Sequence, residues 1–179
     1  MYLRHIKLCQ DDIISAMLSW NGGTKEQDLD MDLMAIMLDK RGRFMHERDL
    51  VFYNNHSTRT GALFHTMDQK SGANDIASES ILVNLSKIPA YCKYIRFAAI
   101  KRAQKNIPGQ IILNIGKMDG IFGEKTKDVF AVNLIKTDFE VCYLFEIAKS
   151  YDKYMLNIAL ESLDISFEEA LAMYSIEKK

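Results

Sequence analysis

Two oxygen-rich stretches of this 179-residue sequence form a candidate cation site. The first has three aspartates that alternate with apolar residues: Asp28, Asp30 and Asp32. Residues two apart point to the same face of a strand, roughly 6.5–7 Å from each other, so ionised carboxylates there repel without a positive charge among them. The second, residues 68–79, has three more acidic residues: Asp68, Asp75 and Glu79. Calcium suits such a set because it accepts about 6–8 oxygen ligands in irregular geometry.

The elements that would position these residues are predicted to be strands. An apolar run over 13–20 ends at the turn signal Asn21-Gly22-Gly23, and a second run over 33–38 ends before the turn-forming segment 39–42. A strand-like run over 50–55 precedes the segment 68–79, which is predicted to be a polar loop. Later strands are predicted over 81–85, 94–100, 111–115, 129–135, 141–148 and 154–161. Many short strands with turns between them predict an all-β fold, specifically a two-sheet β-sandwich.

One short helix is predicted near the C-terminus. Ser166 is followed three residues later by Glu169, which is the capping-box pattern, and the apolar segment 170–174 comes next. A second helix could occupy 88–92 or the neighbourhood of 102–104. Repeats, low-complexity tracts and Pro-rich linkers are absent from the sequence, so residues 1–179 are predicted to form a single domain.

Composition and charge exclude some function classes. Hydrophobic residues make up 48% and charged residues 26% of the chain, as in soluble globular proteins, and the net charge of −1 gives no electrostatic basis for nucleic-acid binding. No apolar run approaches the roughly 20 residues of a membrane span, and the segment 1–7 lacks the features of a secretion signal. We therefore expect a cytoplasmic protein without direct membrane insertion.

The cysteines, histidines and methionines suggest structural roles. Three cysteines far apart in apolar surroundings are predicted to be reduced core thiols: Cys9, Cys92 and Cys142. The four histidines lack the spacing of a zinc site: His5, His46, His56 and His65. Four methionines crowd one region, where core packing is the main interpretation and a partner-binding surface is the alternative: Met31, Met34, Met37 and Met45.

Catalytic motifs are absent from the sequence. It contains no Gly-x-Ser-x-Gly elbow, no phosphate-binding glycine loop ending in Lys-Ser/Thr and no dinucleotide fingerprint. Paired carboxylates can act in acid–base chemistry only in a cleft that perturbs their pKa values. The sequence therefore favours a protein that is not an enzyme.

Several short segments, taken in order, resemble the TerD domain of tellurite-resistance and bacterial general-stress proteins. They are 30–39, 52–55, 65–68, Ser71-Gly72 with Glu79, 83–89, 109–110 and 145–147. The resemblance implies calcium bound by paired aspartates, by the asparagines that follow an aromatic pair and by an acidic glycine-rich loop. In this chain those ligands would be Asp30, Asp32, Asn54, Asn55, Asp68 and Glu79, with Asp75 as an additional oxygen donor.

The acidic segment also departs from the family pattern. Family members usually carry a Gly before the Asp at 68, Asn at 69 and glycines where this chain has Asn74 and Ile76. Two aspartates of the family are replaced here by Ala77 and Ser78. Because carboxylate number tunes calcium affinity, we expect one calcium site, with a second site weakened or lost.

The sequence indicates three candidate functions. The first is a calcium-binding, non-enzymatic interaction module in stress or tellurite resistance, with other Ter-system or stress proteins as partners, including a membrane-associated complex. The second is a divergent TerD-like scaffold that no longer binds calcium, with the aspartates forming a solvated strand face and the loop residues capping turns. The third is a small-ligand or nucleotide binder, or a hydrolase that uses the acidic end.

Overall fold

The computed structural model describes residues 4–21, 31–71, 76–101, 111–120, 125–134, 140–151, 153–163 and 165–175. Its strands are β1 (Arg4–Leu8), β2 (Ile13–Asn21), β3 (Met31–Leu38), β4 (Leu50–Val51), β5 (Leu63–Ser71), β6 (Ile76–Asn84), β7 (Tyr94–Lys101), β8 (Ile111–Met118), β9 (Lys125–Asn133), β10 (Val141–Ser150) and β11 (Lys153–Leu163). Helix α1 spans Phe167–Ala172, and 3₁₀ turns span Glu47–Asp49 and Leu85–Lys87.

These strands form two antiparallel sheets. The six-stranded sheet has the order β1-β11-β10-β7-β3-β4, and the five-stranded sheet has the order β5-β6-β2-β8-β9. The layer between them is apolar: Ile14, Ala16 and Leu18 of β2 are fully buried, and Phe97 of β7 stacks on Phe145 of β10 with ring centroids 4.2 Å apart. The predicted two-sheet β-sandwich with a short C-terminal helix is confirmed.

Strand β3 is buried on both faces, and all eight of its residues have low exposure. Met31, Leu33, Ala35 and Met37 belong to the core between the sheets, whereas Met34, Ile36 and Leu38 belong to a second apolar cluster on the outer face of the six-stranded sheet. This explains the continuous apolar run in its sequence, since a strand covered on both sides does not alternate. Core packing is thus confirmed for Met31, Met34 and Met37, while Met45 is 43% exposed.

Helix α1 covers the second cluster. Its N-terminus has the predicted capping box: Glu169 N donates to Ser166 Oγ at 3.2 Å, and Ser166 N donates to Glu169 Oε2 at 2.8 Å. Beyond the helix, Arg43 Nη1 donates to the carbonyl oxygens of Met173 at 3.1 Å and Ser175 at 2.6 Å. The segment is therefore held by caps at both ends as well as by its apolar face.

Several boundaries differ from the sequence predictions. Strand β1 was not predicted, and the run 50–55 forms strand only over Leu50–Val51, because Phe52 and Asn55 pair across a tight turn. The segment 68–79 is not a long loop: residues 68–71 end β5, residues 76–79 begin β6, and their backbones pair. The segment 88–92 is not a helix, and residues 102–104 lie outside the described residues.

The cysteine prediction is confirmed for two residues and wrong for the third. Cys92 and Cys142 are buried, but Cys9 is exposed. Cys9 follows Leu8, the last residue of β1, and its backbone N donates to Asp12 Oδ2 at 2.7 Å in the turn to β2. The side chain therefore lies beyond the edge of the core.

Candidate metal site at the start of β3

The short strand β4 leaves the first half of β3 without a neighbour on that edge. The two strands pair only at Ala35 with Val51 and at Ile36 with Leu50. The chain then turns back, with Phe52 N donating to Asn55 O at 3.2 Å and Asn55 N donating to Phe52 O at 3.0 Å. A side chain from the other sheet takes the place that a longer β4 would have filled.

That side chain is Glu79 of β6. Its Oε2 accepts a hydrogen bond from the backbone N–H of Leu33 at 2.5 Å, and the Glu79 side chain is only 3% exposed. A buried backbone donor without a partner is costly, and a carboxylate acceptor makes a strong charge-assisted bond. Glu79 therefore connects the five-stranded sheet to β3 of the six-stranded sheet.

His65 of β5 lies beside this carboxylate. Its Nε2 is 3.4 Å from Glu79 Oε2, and the two side chains are 2% and 3% exposed. Its Nδ1 is buried with no hydrogen-bond partner among the described residues. On the neighbouring segment, the ring of His56 lies 5.8 Å from that of His65, and His65 N donates to His56 O at 2.8 Å. His65 thus packs against Glu79, which agrees with a role in packing or loop orientation.

Asp32 is the second carboxylate at the start of β3. It is 7% exposed and pairs in register with Ile100 of β7. Its neighbour Leu33 faces the core between the sheets, so Asp32 faces the outer side of the six-stranded sheet. The structure therefore places two carboxylates near the same strand end: Glu79 reaches the strand edge, and Asp32 lies on its outer face.

The two predicted asparagine ligands lie in different environments. Asn54 is exposed on the turn after Phe52. The amide Nδ2 of Asn55 donates to the carbonyl oxygen of Leu50, which fixes the turn. The observed role of Asn55 is therefore to end β4, although its amide oxygen is also a hard donor of the kind that calcium accepts.

The three remaining predicted ligands are Asp30, Asp68 and Asp75. Asp30 and Asp75 lie outside the described residues. The backbone of Asp68 lies in β5, but its side chain is not described. Two of the seven predicted side chains, Asp32 and Glu79, are thus placed as buried carboxylates at the start of β3.

The chemistry of these donors fits part of a calcium shell. Asp32 and Glu79 supply carboxylate oxygens from two different sheets, and calcium prefers such ligands. Within the described ranges, no group of three or more His, Cys, Asp or Glu side chains is arranged to hold a metal ion. A complete shell would therefore need further oxygens, for which Asp30, Asp68 and Asp75 remain the predicted donors.

The structure also bears on the small-ligand alternative. A cavity of about 10 Å³ lies under α1, between Met34, Arg96, Tyr143 and Tyr174. Arg96 crosses its wall, with Nε donating to Glu146 Oε2 at 2.7 Å and its guanidinium 5.4 Å from the centre of the Tyr174 ring. That volume holds about one water molecule, so the cavity cannot take a nucleotide.

Sequence reasoning missed the partner of Glu79. The contact joins a side chain to a backbone N–H 46 residues away, and side-chain patterns carry no signal for it. The His65–Glu79 contact was missed as well, because it depends on the β5–β6 hairpin, which brings residues separated by 14 positions together.

Comparison with known proteins agrees with this architecture. The family model described as "TerD domain" matches residues 9–111, which is more than half of the chain. The matched segment contains β2 to β7. It therefore includes Asp32 and Glu79, the two buried carboxylates of the candidate site. The chain belongs to the TerD family.

Curated relatives match over a shorter segment. The chain is 37% identical over 76 residues to the uncharacterized protein YceE of Bacillus subtilis, covering 42% of this chain and 38% of that protein. It is 33% identical over 81 residues to the tellurium resistance protein TerD of Serratia marcescens, covering 45% and 42%. General stress protein 16U of B. subtilis is 33% identical over 78 residues, covering 44% and 39%. The matched part thus spans about two fifths of each relative.

Solved structures share the fold. A crystal structure titled as unknown function protein SAV2460 superposes with a TM-score of 0.72 at 9% identity, covering 94% of this chain and 99% of that one. The structure of SCO6318 from Streptomyces coelicolor A3(2), a homologue of telluride resistance protein (TerD), gives 0.67 at 8% identity, with 89% and 95% covered. In the described part of the present chain, no helix has the length and apolarity to cross a bilayer.

Proposed function

We propose that this chain is a calcium-binding, non-enzymatic interaction module that acts in bacterial stress or tellurite resistance. The observation that carries the proposal is the pair of buried carboxylates, Asp32 and Glu79, at the start of β3. Asp30 precedes this strand in the sequence, Asp68 lies on β5, which pairs with the strand of Glu79, and Asp75 precedes that strand in the sequence. Relatives named as tellurium resistance and general stress proteins supply the biological setting.

The arrangement of these residues suggests how such a module would work. Asp32 belongs to the six-stranded sheet and Glu79 to the five-stranded sheet, so an ion held by both would connect the sheets at one end. Bound calcium would supply the positive charge that offsets the acidic residues there. The residues around it would then present a fixed surface to a protein partner, for which other Ter-system or stress proteins, including a membrane-associated complex, are the candidates. The location proposed for this activity is the cytoplasm.

A scaffold that no longer binds calcium is the second candidate. It is favoured by the hydrogen bond from Leu33 N to Glu79 Oε2, because this carboxylate already serves the protein itself. The amide nitrogen of Asn55 is likewise bonded within its own turn. Ala77 and Ser78 supply no carboxylate in the same hairpin.

Thermal unfolding in calcium and in chelator separates the two candidates. A site that binds at about 10 μM would gain roughly 2.7 kcal/mol in 1 mM calcium, which raises the midpoint by about 5–10 °C for a domain of this size. Magnesium at the same concentration controls for charge screening. A midpoint that does not respond to calcium at any concentration would favour the constitutive scaffold.

Variants then test the ligand assignment. Asp32→Asn and Asp68→Ala should each abolish the calcium-dependent rise while the protein stays folded in chelator. Glu161→Gln is the matched control, since Glu161 is an exposed carboxylate on β11. Unchanged calcium affinity in both site variants would end the assignment of these residues. Capture of the same partners in calcium and in chelator would show that binding does not depend on the ion.

A further inference from the structure

The outer face of the five-stranded sheet has an unusual composition. Its central row crosses all five strands in register: Thr66, Ser80, Met17, Asn114 and Ala131. These residues point away from the core because the alternate positions of β2, such as Ala16 and Leu18, are buried between the sheets. The rows on either side are counted over four strands each, from Phe64 on β5 to Gly116 on β8 and from Ser78 on β6 to Asn133 on β9. The fifth residues in register, Asp128 and Gln69, are not part of the face. We call these three rows the uncharged face.

No Asp, Glu, Lys, Arg or His occurs in these three rows, all of whose residues are described. The nearest charge in register is Asp128, which pairs with Gly116 at one corner. Charged residues make up 26% of the chain and normally concentrate on the surface, so three adjacent rows without one are unexpected on a solvated sheet. Two large apolar side chains of the face are accessible, since Met17 is 37% and Phe64 is 39% exposed, whereas Leu82 beside Phe64 is 7% exposed.

The polar groups of the uncharged face are partly satisfied within it. The hydroxyls of Thr66 and Ser80 lie 2.6 Å apart, and Thr66 Oγ1 also donates to the carbonyl oxygen of Ser80 at 3.2 Å. Burying a hydroxyl costs little when its hydrogen bond is kept. The face can therefore be removed from water without leaving these groups unpaired.

We propose that the uncharged face is a contact surface for a second copy of this chain. Two identical charged faces repel each other where like charges meet, whereas an uncharged face is compatible with its own copy. Small Ser, Thr, Asn, Gly and Ala side chains also let two sheets approach closely, as in face-to-face sheet packing.

The area of the face indicates a weak contact between the two copies. The face has thirteen positions. With strands about 4.8 Å apart and rows about 6.8 Å apart, they cover roughly 420 Å² per copy. Two copies would bury roughly 850 Å² in total, which is below the roughly 1,200 Å² of a stable specific interface and in the range of transient contacts. The dimer is therefore weak and forms in a concentration-dependent way.

Symmetry places one residue at the centre of this contact. Met17 lies in the central row and on β2, the middle strand of the five-stranded sheet. A two-fold axis through the centre of the face brings Met17 of one copy against Met17 of the other. A charge introduced at Met17 would then meet the same charge across the axis.

Sedimentation equilibrium of wild type, Met17→Glu and Met17→Lys tests the proposal, with chelator present so that calcium plays no part. Wild type should dimerise with rising concentration, and each charged variant alone should associate at least about tenfold more weakly. An equimolar mixture of the two variants should recover dimerisation, because opposite charges then meet at the axis. Met173→Glu is the control, since Met173 is 57% exposed beyond α1 on the other side of the molecule.

Three results would overturn the proposal. They are a wild type that stays monomeric up to millimolar concentration, charged variants that dimerise like wild type, and a mixture that does not recover association. Circular dichroism of each variant confirms that it is folded, and the two variants of opposite charge guard against a folding defect specific to one substitution.

Discussion

Glu79 in β6 and Leu33 in β3 are joined by a hydrogen bond of 2.5 Å from a backbone N–H to a buried carboxylate. Glu79 belongs to one sheet and Leu33 to the other, so a single side chain links the layers where β4 stops. The same side chain is a candidate calcium ligand, and its structural role therefore has to be measured separately.

Replacing Glu79 should destabilise the protein in chelator. Glu79→Ala leaves the Leu33 N–H buried without its acceptor, and we expect the free energy of unfolding to fall by about 1–3 kcal/mol. Glu79→Gln keeps an oxygen acceptor and should cost less. Urea unfolding of both variants measures the difference. If Glu79→Ala costs no more than Glu161→Ala, made at an exposed strand position, the hydrogen bond does not stabilise the fold.

Thiol labelling should distinguish the three cysteines. Burial raises the pKa of Cys92 to about 12 and that of Cys142 to about 12, so both remain protonated and inaccessible near neutral pH. Cys9 is exposed. Native protein treated with iodoacetamide at about pH 8 should gain one adduct by intact mass spectrometry, and unfolded protein should gain three.

The variant Cys9→Ser is the control for this labelling. It should gain no adduct while folded and two after unfolding. Rapid modification of Cys92 or Cys142 in the native variant would mean that the core opens on the timescale of labelling.

Asp39 should contribute to stability in a pH-dependent way. Its Oδ1 accepts from the backbone N–H groups of Arg43 at 3.0 Å and Arg41 at 2.8 Å, and these bonds lower the pKa of the carboxyl below its ordinary 3.8. A lowered pKa in the folded state means that the stabilisation is present above pH 3.8. It is lost as the pH falls through the lower folded-state value.

The measurement is the difference in melting temperature between wild type and Asp39→Asn. That difference should be largest near pH 6 and should shrink as the pH falls well below 3.8, where the wild-type carboxyl is neutral. Asp119→Asn, in a different exposed turn, is the control. A difference that stays constant with pH would show that the ionised form of Asp39 does not stabilise this turn.

The two-sheet architecture could be predicted from the sequence, whereas contacts between distant segments could not. Apolar runs that end at turn-forming residues identified β2 and β3, and Ser166 with Glu169 identified the start of α1. Strand β1 was missed because Arg4, His5 and Lys7 are polar. Among the described strands it lies at a sheet edge and pairs with β11 alone, and most of its side chains remain outside the core.

The hairpin of β5 and β6 was missed for a related physical reason. Gln69 and Ser78 pair as strand residues, yet a run of polar residues reads as a loop when periodicity is the main signal. The candidate site was harder still to predict, because the bond between Glu79 and Leu33 depends on where β4 stops. That end point is set by the turn at Asn55 and not by any pattern in β3.

The order of strands in the six-stranded sheet has a consequence for how the protein is made. Strand β1 pairs with β11, the last strand of the sandwich to be synthesised, so this sheet cannot be completed until residue 163 has left the ribosome. Until then β1 lacks its partner and β10 has a free edge. Pairings over such long sequence separations make folding slow. During that interval the outer apolar face of β3, which α1 covers in the complete fold, is open to aggregation or to chaperones.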